Sequence, residues 1–358
     1  MQNNVILRVY IQGGKYWDIT NLVPYVRITG NVDSVSRTLE TELFQSVVDS
    51  QIEQIGIKEG SSVCFYVDGG KEIYRGNIVD ISKEENGVFK IIAKDVGFIL
   101  GTAKFNKNFV NKTPEQVAKE IIKECRLNIN SIAKTNIKLT RYFRDTSAYD
   151  IIMTFYTLAS RQNKKKYMMD INLRSINIIE RGKALTIGFD SDSNITNAEY
   201  GINIEELVNT VSVVDKNGNK ISQHVNKELT KVFHLLKNKI LEVDDKSKVN
   251  KDIINNEFYG ADKTCSLTGY GNYNCRSGYK VHIKEPQTGL IGEFYIDEDS
   301  HEWNSGGYIC NLSLNFKNIM DEKESGSETL EQNDDNNETS TVGTSGGMGL
   351  LLKCLIKY

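Results

Sequence analysis

The sequence predicts an α+β fold in which two strand-rich blocks enclose a helical module and an acidic tail follows. Three observations predict it. Residues 4–101 and 207–320 both carry short alternating apolar runs separated by turn residues, a pattern typical of antiparallel hairpins. Two helical patterns with clear start signals lie between these blocks. The segment after residue 320 is acidic and polar, which is typical of disorder.

The first block, residues 1–102, is predicted as a succession of hairpins. A strand at Val5–Ile11 ends at two glycines, and later strands join through turns at Asp68-Gly69-Gly70 and Glu85-Asn86-Gly87. Such a succession fits either an antiparallel barrel or a small sandwich.

The helical α/β module, residues 103–168, is predicted from two helix starts. Thr113-Pro114-Glu115-Gln116 combines an N-cap, a proline at the first helical position and a capping-box glutamine. A second helix begins near Thr146-Ser147 and has an apolar face. The lysine run Lys164–Lys166 then leads into a strand at Tyr167–Asn172. This run is a solvated turn or, alternatively, a positive collar on a channel.

A small β connector, residues 169–206, is predicted to hold a hairpin of Ser175–Glu180 with Leu185–Gly188. The second block, residues 207–320, is predicted to contain a helical insertion near 247–260 and a last hairpin turn at Ser305-Gly306-Gly307. Its expected strands are at 209–214, 264–268, 279–284, 292–296 and 308–316.

The tail, residues 321–358, is predicted to be a disordered linker with an apolar end. Residues 321–341 contain eight acidic residues against Lys323 alone. The final apolar residues, 346–358, are too short to span a bilayer. This end would dock on a partner or be the stub of a further domain.

Composition argues against several classes of protein. The net charge is −3, and residues 321–341 alone carry −7, so the remaining chain, at +4, is close to neutral and lacks the basic excess of a nucleic-acid-binding protein. No stretch has the length of a membrane span. The six cysteines do not suggest a disulfide scaffold, so free thiols in a reducing cytoplasm are expected.

No catalytic, cofactor-binding or metal site is predicted. Cys265, Cys275 and His282 are close in sequence, but their spacing matches no zinc pattern and buried cysteines are expected instead. The glycine- and tyrosine-rich segment Thr268–Tyr273 is expected to be a strand connection, with a sugar-binding loop as the alternative. Cys125 lies on an apolar helix face, which favours a buried thiol over a nucleophile.

One acidic cluster inside the second block could carry chemistry. Its members are Asp297, Glu298, Asp299, His301 and Glu302. Paired carboxylates serve glycoside hydrolases or bind calcium. The strand pattern around the cluster instead favours a turn or bulge with exposed charges.

Seven segments stand out by their order and spacing over about residues 4–320: Tyr16–Val23, Lys58–Val63, Ala93–Asp95, Asn111–Val117, Asp145–Ile152, Leu207–Val211 and Trp303–Tyr308. Taken together, they resemble the baseplate hub proteins of contractile phage tails and phage-tail-like bacteriocins, in particular the PBSX-type prophage branch. The sequence departs from that pattern at 225–262 and after 320.

The resemblance implies a virion structural protein without enzymatic activity. Each subunit would supply two tube-like antiparallel β-barrels, so a homotrimer would form a pseudo-sixfold ring between the sixfold tail tube and the central spike of a contractile injection system. Implied partners are the tail tube or tube-initiator protein, the spike, the baseplate wedge proteins and the tape-measure protein. The protein would reside in the baseplate of a virion or tail-like particle assembled in the bacterial cytoplasm.

Two other functions compete with this one. Hub relatives can carry a cell-wall hydrolase after the hub part, and the acidic linker lies at that place. A carbohydrate-binding module is the third reading. Mixing the purified protein with cell walls distinguishes the three functions. Hydrolysis supports the enzyme, retention without hydrolysis supports the binding module, and neither outcome supports the hub.

Overall fold

The computed structural model describes residues 4–44, 55–85, 87–234, 236–244 and 250–329, which form a mostly β protein with short helices. The strands are β1 Ile6–Tyr10, β2 Tyr16–Asp18, β3 Tyr25–Asn31, β4 Thr38–Phe44, β5 Ser62–Val67, β6 Lys71–Lys83, β7 Val88–Lys94, β8 Lys104–Lys112, β9 Asn128–Ile132, β10 Leu139–Ser147, β11 Tyr167–Asn172, β12 Ser175–Glu180, β13 Ala184–Asp190, β14 Ile195–Asn203, β15 Thr210–Val214, β16 Lys220–Val225, β17 Asn238–Glu242, β18 Asp262–Tyr270, β19 Lys280–Glu285, β20 Leu290–Asn304 and β21 Gly307–Asn315. The α-helices are α1 Gly97–Thr102, α2 Pro114–Glu124, α3 Ala148–Asn163, α4 Lys227–Phe233 and α5 Lys251–Glu257.

One 13-stranded sheet contains most of both strand-rich blocks. Its path runs β14-β18-β21-β20-β3-β4-β7-β6-β5-β1-β2, and β19 and β13 branch from β20. The two blocks therefore meet through hydrogen bonds between β3 and β20. Each has its own apolar core, and Trp303 of β20 is buried in the core of the first block.

The two blocks repeat one strand order. The first runs β3-β4-β7-β6-β5-β1, and the second runs β14-β18-β21-β20-β19-β13. In chain order, the first block's strands β1, β3, β4, β5, β6 and β7 correspond to β13, β14, β18, β19, β20 and β21 of the second, and with this correspondence the two paths are the same. Both long strands carry a bulge at the corresponding place, after Ile78 in β6 and after Ile296 in β20. One pairing differs, because β1 and β5 are antiparallel whereas β13 and β19 are parallel.

The strand pairing groups residues 184–206 differently from the predicted connector. β13 and β14 pair with β19 and β18 of the second block, because their apolar residues Phe189, Ala198 and Tyr200 pack into its core. The second block is thus made of residues 184–203 and 262–315, with 204–261 inserted. β13 and β14 do not pair with each other, so the described strands leave this block open instead of closing it into a barrel.

The helical module has a separate core. α2 and α3 pack on the β8–β10 pair and on the small sheet β11-β12-β9. The capping box of Thr113 and Gln116 is confirmed, and Ser147 caps α3 by accepting a hydrogen bond from the amide of Asp150. The predicted hairpin of Ser175–Glu180 with Leu185–Gly188 is wrong, because β12 pairs with β11 and β9 instead.

The insertion at 204–261 is a small unit with its own sheet, β16-β15-β17. The predicted strand at 209–214 is confirmed by β15, which pairs with β16. The helix predicted near 247–260 is α5, which is capped by Asn250. The helix α4 was not predicted, although Asn226 caps it in the same way.

The first part of the tail is docked, which corrects the prediction of disorder from residue 321. Tyr149 donates a hydrogen bond of 2.8 Å to Asp321, and the amides of Lys323 and Ser325 donate to the hydroxyls of Thr157 and Thr154, each at 3.1 Å. Those two threonines are fully buried on α3, so the docked segment satisfies their polar atoms. The predicted disorder of 330–358 lies outside the described residues.

Among the helices that the structure describes, none combines the length and apolar character required to cross a bilayer.

Candidate functional site

The junction of the two blocks holds the densest group of buried charged residues in the described chain. β3 and β20 pair in antiparallel register from Asn31 opposite Glu298 to Tyr25 opposite Asn304. Two ion pairs cross or flank this ladder. Arg27 donates two hydrogen bonds to Glu302, at 3.0 and 2.8 Å, in a half-exposed position.

The second pair, Arg37 with Asp299, is buried. The Arg37 guanidinium binds both carboxylate oxygens of Asp299, which also accepts from the Ser277 amide at 2.6 Å. Burial alone would raise the pKa of Asp299, but the Arg37 charge and the bonds from Arg37 and His301 hold it well below its ordinary value. The pair therefore fixes the β3–β4 turn against β20.

His301 continues this group toward an aromatic cluster. Its Nε2 lies 3.2 Å from Asp299 Oδ2 and 3.1 Å from the Cys275 carbonyl oxygen, and its Nδ1 lies 2.8 Å from the Tyr308 hydroxyl. Trp303 stacks on Tyr308 with ring centroids 4.1 Å apart and meets Phe65 edge-on at 4.8 Å. Both ring nitrogens of the histidine are thus engaged in holding the junction.

Asp95 lies on the other side of Arg37. Its carboxylate accepts hydrogen bonds from the amides of Arg37 at 3.1 Å and Gly97 at 2.9 Å. Burial raises the pKa of Asp95 to about 7, although the two amides and the Arg37 charge act in the opposite direction. Sequence reasoning missed Arg37, because its partner Asp299 lies at the far end of the chain. It also missed the role of Asp95, whose carboxylate binds the Arg37 amide 58 positions away.

The predicted acidic cluster is brought together only in part, and Asp297, Asp299 and Glu302 each bind an arginine of the same chain. The expected bulge is present at Asp297, which is half-buried, and the expected exposed charge is present at Glu298. The expectation of exposed charges is wrong for Asp299 and His301, which are fully buried. Asp297 binds Arg181 at 2.6 Å and Asn315 at 2.7 Å. Both carboxylate oxygens of Asp297 are therefore engaged in hydrogen bonds within the chain.

The Cys265, Cys275 and His282 set does not converge. Both cysteines are buried in the second block, whereas His282 points outward from β19. Burial raises the pKa of Cys275 to about 12 and that of Cys265 to about 11, so both thiols stay protonated. Over the described ranges no group of three histidine, cysteine or acidic side chains is arranged to hold a metal.

The glycines near residue 270 have a packing role. A Cβ at Gly269 would lie 2.6 Å from the Asn194 carbonyl oxygen, and one at Gly271 would overlap the Tyr308 ring. Gly271 also lines a cleft of about 620 Å³ together with Asn272, Arg276 and Trp303. The cleft is the structural feature on which the sugar-binding alternative now depends.

The remaining predicted features are engaged in local structure. Lys164 ends α3 in a left-handed conformation, Lys165 pairs with Glu180 at 2.9 Å, and Lys166 pairs with Glu322 at 2.8 Å. Cys125 is the half-buried C-cap of α2, and burial raises the pKa of its thiol. The lysine run therefore serves a helix end and the docked tail.

Comparison with known proteins agrees with this architecture. A family model described as YQBQ-like matches residues 26–315. The uncharacterized protein YqbQ of Bacillus subtilis (strain 168) is 23% identical over 282 residues, which are 74% of this chain and 83% of that protein. The phage-like element PBSX protein XkdQ of the same organism is 23% identical over 317 residues, which are 83% of this chain and 93% of that protein.

A solved structure shares the fold. The crystal structure of the prophage MuSo2 43 kDa tail protein from Shewanella oneidensis matches with a TM-score of 0.63 at 13% identity, covering 88% of this chain and 98% of that chain. Together with the family match, this similarity confirms the resemblance at the level of phage tail and baseplate proteins.

Proposed function

The chain belongs to the YQBQ-like family, and from that premise we propose that it is the hub of a contractile-tail baseplate. Three copies form a ring that joins the sixfold tail tube to the central spike. The ring is part of a virion or tail-like particle, assembles in the bacterial cytoplasm, and also contacts the baseplate wedge and tape-measure proteins.

The repeated strand order carries this proposal. One chain holds two blocks with the same path of six strands and the same bulge in the long strand. A sixfold tube requires six similar contacts, and three chains with two such blocks provide them. The hydrogen-bonded junction of β3 and β20 would set the spacing of the two blocks within each third of the ring.

The mass of the purified full-length chain in solution tests the ring. Sedimentation equilibrium should give a trimer whose fraction rises with protein concentration. An electron-microscopy reconstruction of that species should show six similar blocks around a channel, with the helical module outside. A protein that stays monomeric at every concentration, or a ring whose channel is filled by helices, would contradict the proposal.

We also propose that the hub has no catalytic activity of its own. The acidic cluster supports this, because Asp297, Asp299 and Glu302 are each paired with an arginine. Incubation with purified cell walls should release no muropeptides above a buffer control. Release that disappears in Asp297→Asn would favour the hydrolase alternative.

A further inference from the structure

β14 and the outer half of β6 are two of the strand edges of the large sheet that have no partner among the described residues. β14 pairs with β18 on one side only. The outer half of β6, from Val79 to Lys83, pairs with β7 on one side, while β5 covers β6 only up to Ile78 on the other. Uncovered edges offer backbone hydrogen-bonding groups to another strand.

The internal repeat identifies what these edges correspond to. In strand order β6 matches β20 and β14 matches β3, and β20 and β3 pair with each other inside the chain. The bulges align Asp80 with Glu298 and Ile81 with Asp299. β14 pairs with β18 as β3 pairs with β4, and β18 and β4 are themselves paired with the corresponding strands β21 and β7. Following these registers aligns Asn203 with Asn31 and Ile202 with Gly30.

We propose that β14 of one copy pairs in antiparallel register with the outer half of β6 of the next copy, repeating between chains the junction that β3 and β20 form within one. The partner is thus a second copy of this chain, and the inference rests on the proposed hub function. The opposed residues are Asp80 with Asn203, Ile81 with Ile202, Ser82 with Gly201, and Lys83 with Tyr200.

The side chains at the first of these positions have the same chemistry in both junctions. Within the chain, Asn31 Oδ1 accepts from the Asp33 amide at 2.7 Å while its Nδ2 donates to Glu298 at 2.5 Å. Asn203 Oδ1 accepts from the Glu205 amide, also at 2.7 Å. Its amide nitrogen is therefore oriented as in Asn31, and Asp80 supplies the carboxylate that Glu298 supplies inside the chain.

The next position replaces a buried ion pair by apolar contact. Asp299, with its partner Arg37, corresponds to Ile81, which is partly buried against the first core. Gly30 corresponds to Ile202, which is 55% exposed in the isolated chain. Pairing would cover both isoleucines and remove apolar area from water. This replacement agrees with a ring that depends on burial more than on charge.

The geometry of this contact favours a closed assembly. β14 and β6 are different surfaces, so the contact is head-to-tail and generates a ring when its rotation closes. Because the contact repeats the β3–β20 junction, successive blocks would be joined in the same way within and between chains. The pairing would also cover these two edges, which are unpaired among the described residues and would otherwise invite aggregation.

Disulfide formation tests the register in the full-length chain. Asp80→Cys combined with Asn203→Cys places two outward-facing thiols opposite each other, within the Cβ separation of a cross-strand pair. Mild oxidation should give covalent dimers and trimers on a non-reducing gel, with no larger product. The matched control combines Asp80→Cys with Glu199→Cys, which is on the same face of β14 but ~13 Å further along the strand. This control, the single variants and the unmodified chain should remain uncrosslinked.

The outcomes separate this inference from the hub proposal. A trimer in solution that forms no 80–203 disulfide, or forms the control disulfide equally well, overturns the strand pairing and leaves the trimer standing. A chain that is monomeric and uncrosslinked at every concentration overturns both.

A charge exchange gives a second, independent test. Ile202→Glu and Ile81→Lys should each reduce trimer formation at least tenfold, and the double variant should restore it. Ile291→Glu, at an equally exposed isoleucine of β20 outside the proposed contact, should leave the trimer unchanged. Loss of the trimer in the double variant, or in Ile291→Glu, would contradict the pairing.

Discussion

Arg37 is the residue whose loss should damage the junction most. Arg37→Ala leaves the carboxylate of Asp299 buried without its cation, and removing one member of a buried pair costs roughly 3–5 kcal/mol. We expect a free energy of unfolding lowered by about that amount in urea denaturation. Lys104→Ala, which breaks the exposed pair with Asp145, is the control and should cost less than about 1 kcal/mol. Equal losses would show that the buried pair has no special weight.

Asp95 should make stability fall as pH rises toward neutrality. Its folded-state pKa of about 7 exceeds the ordinary value of 3.8, so the folded chain holds a proton that the unfolded chain has lost. The associated stability, on the order of a few kcal/mol, is complete below pH ~4 and is lost as pH rises through ~7.

Asp95→Asn should flatten this dependence, measured as the free energy of unfolding at several pH values from 4 to 7. The ionisation of Asp299 does not interfere with this measurement. Because its pKa is lowered, its contribution to the free energy of unfolding is lost only below pH ~4. An unchanged slope in the Asn variant would show that Asp95 ionises normally.

Few of these interactions between individual residues could be predicted from the sequence. The acidic cluster was visible as a run of charges, yet its burial depends on Arg37, which pairs with Asp299 across most of the chain. Spacing rules report neighbours along a helix or strand and contain no information on such distant partners.

At the scale of elements, the docked segment 321–329 depends on one glycine. Gly326 has φ +72°, and a Cβ there would overlap the carbonyl oxygen of Tyr142. Gly326→Ala should therefore release the segment and speed hydrogen exchange at the amides of Lys323 and Ser325 at least tenfold. Ser325→Ala keeps the amide and serves as the control. Unchanged exchange in Gly326→Ala would show that the contact is not required for docking.

Elements with local signals were predicted well. The capping box at Thr113, the N-cap at Ser147 and the hairpin turns at Asp68-Gly69-Gly70 and Ser305-Gly306-Gly307 are set by a few adjacent residues, and the structure has them. β13 and β14 were assigned to a connector because alternation identifies a strand without naming its partner. The docking of 321–329 was missed because it depends on two buried threonine hydroxyls of α3.

For the whole molecule, we expect a ring that tolerates salt. The proposed contact between copies buries Ile81 and Ile202, and apolar burial is not weakened by screening. Sedimentation in 1 M NaCl should retain the trimer found at low salt. Dissociation after a modest increase in salt would indicate that charges hold the copies together.

The pairing of β3 with β20 has a consequence for the order of events during synthesis. Arg27 and Glu302 are 275 positions apart, so the nascent first block leaves the ribosome long before the strand that completes it. Its core also waits for the indole of Trp303. Domains usually fold as they emerge, but here the N-terminal block stays unfinished until β20 has been translated. A truncated product ending before β20 would therefore expose both the β3 edge and an unfilled core, which are features that chaperones and proteases recognise.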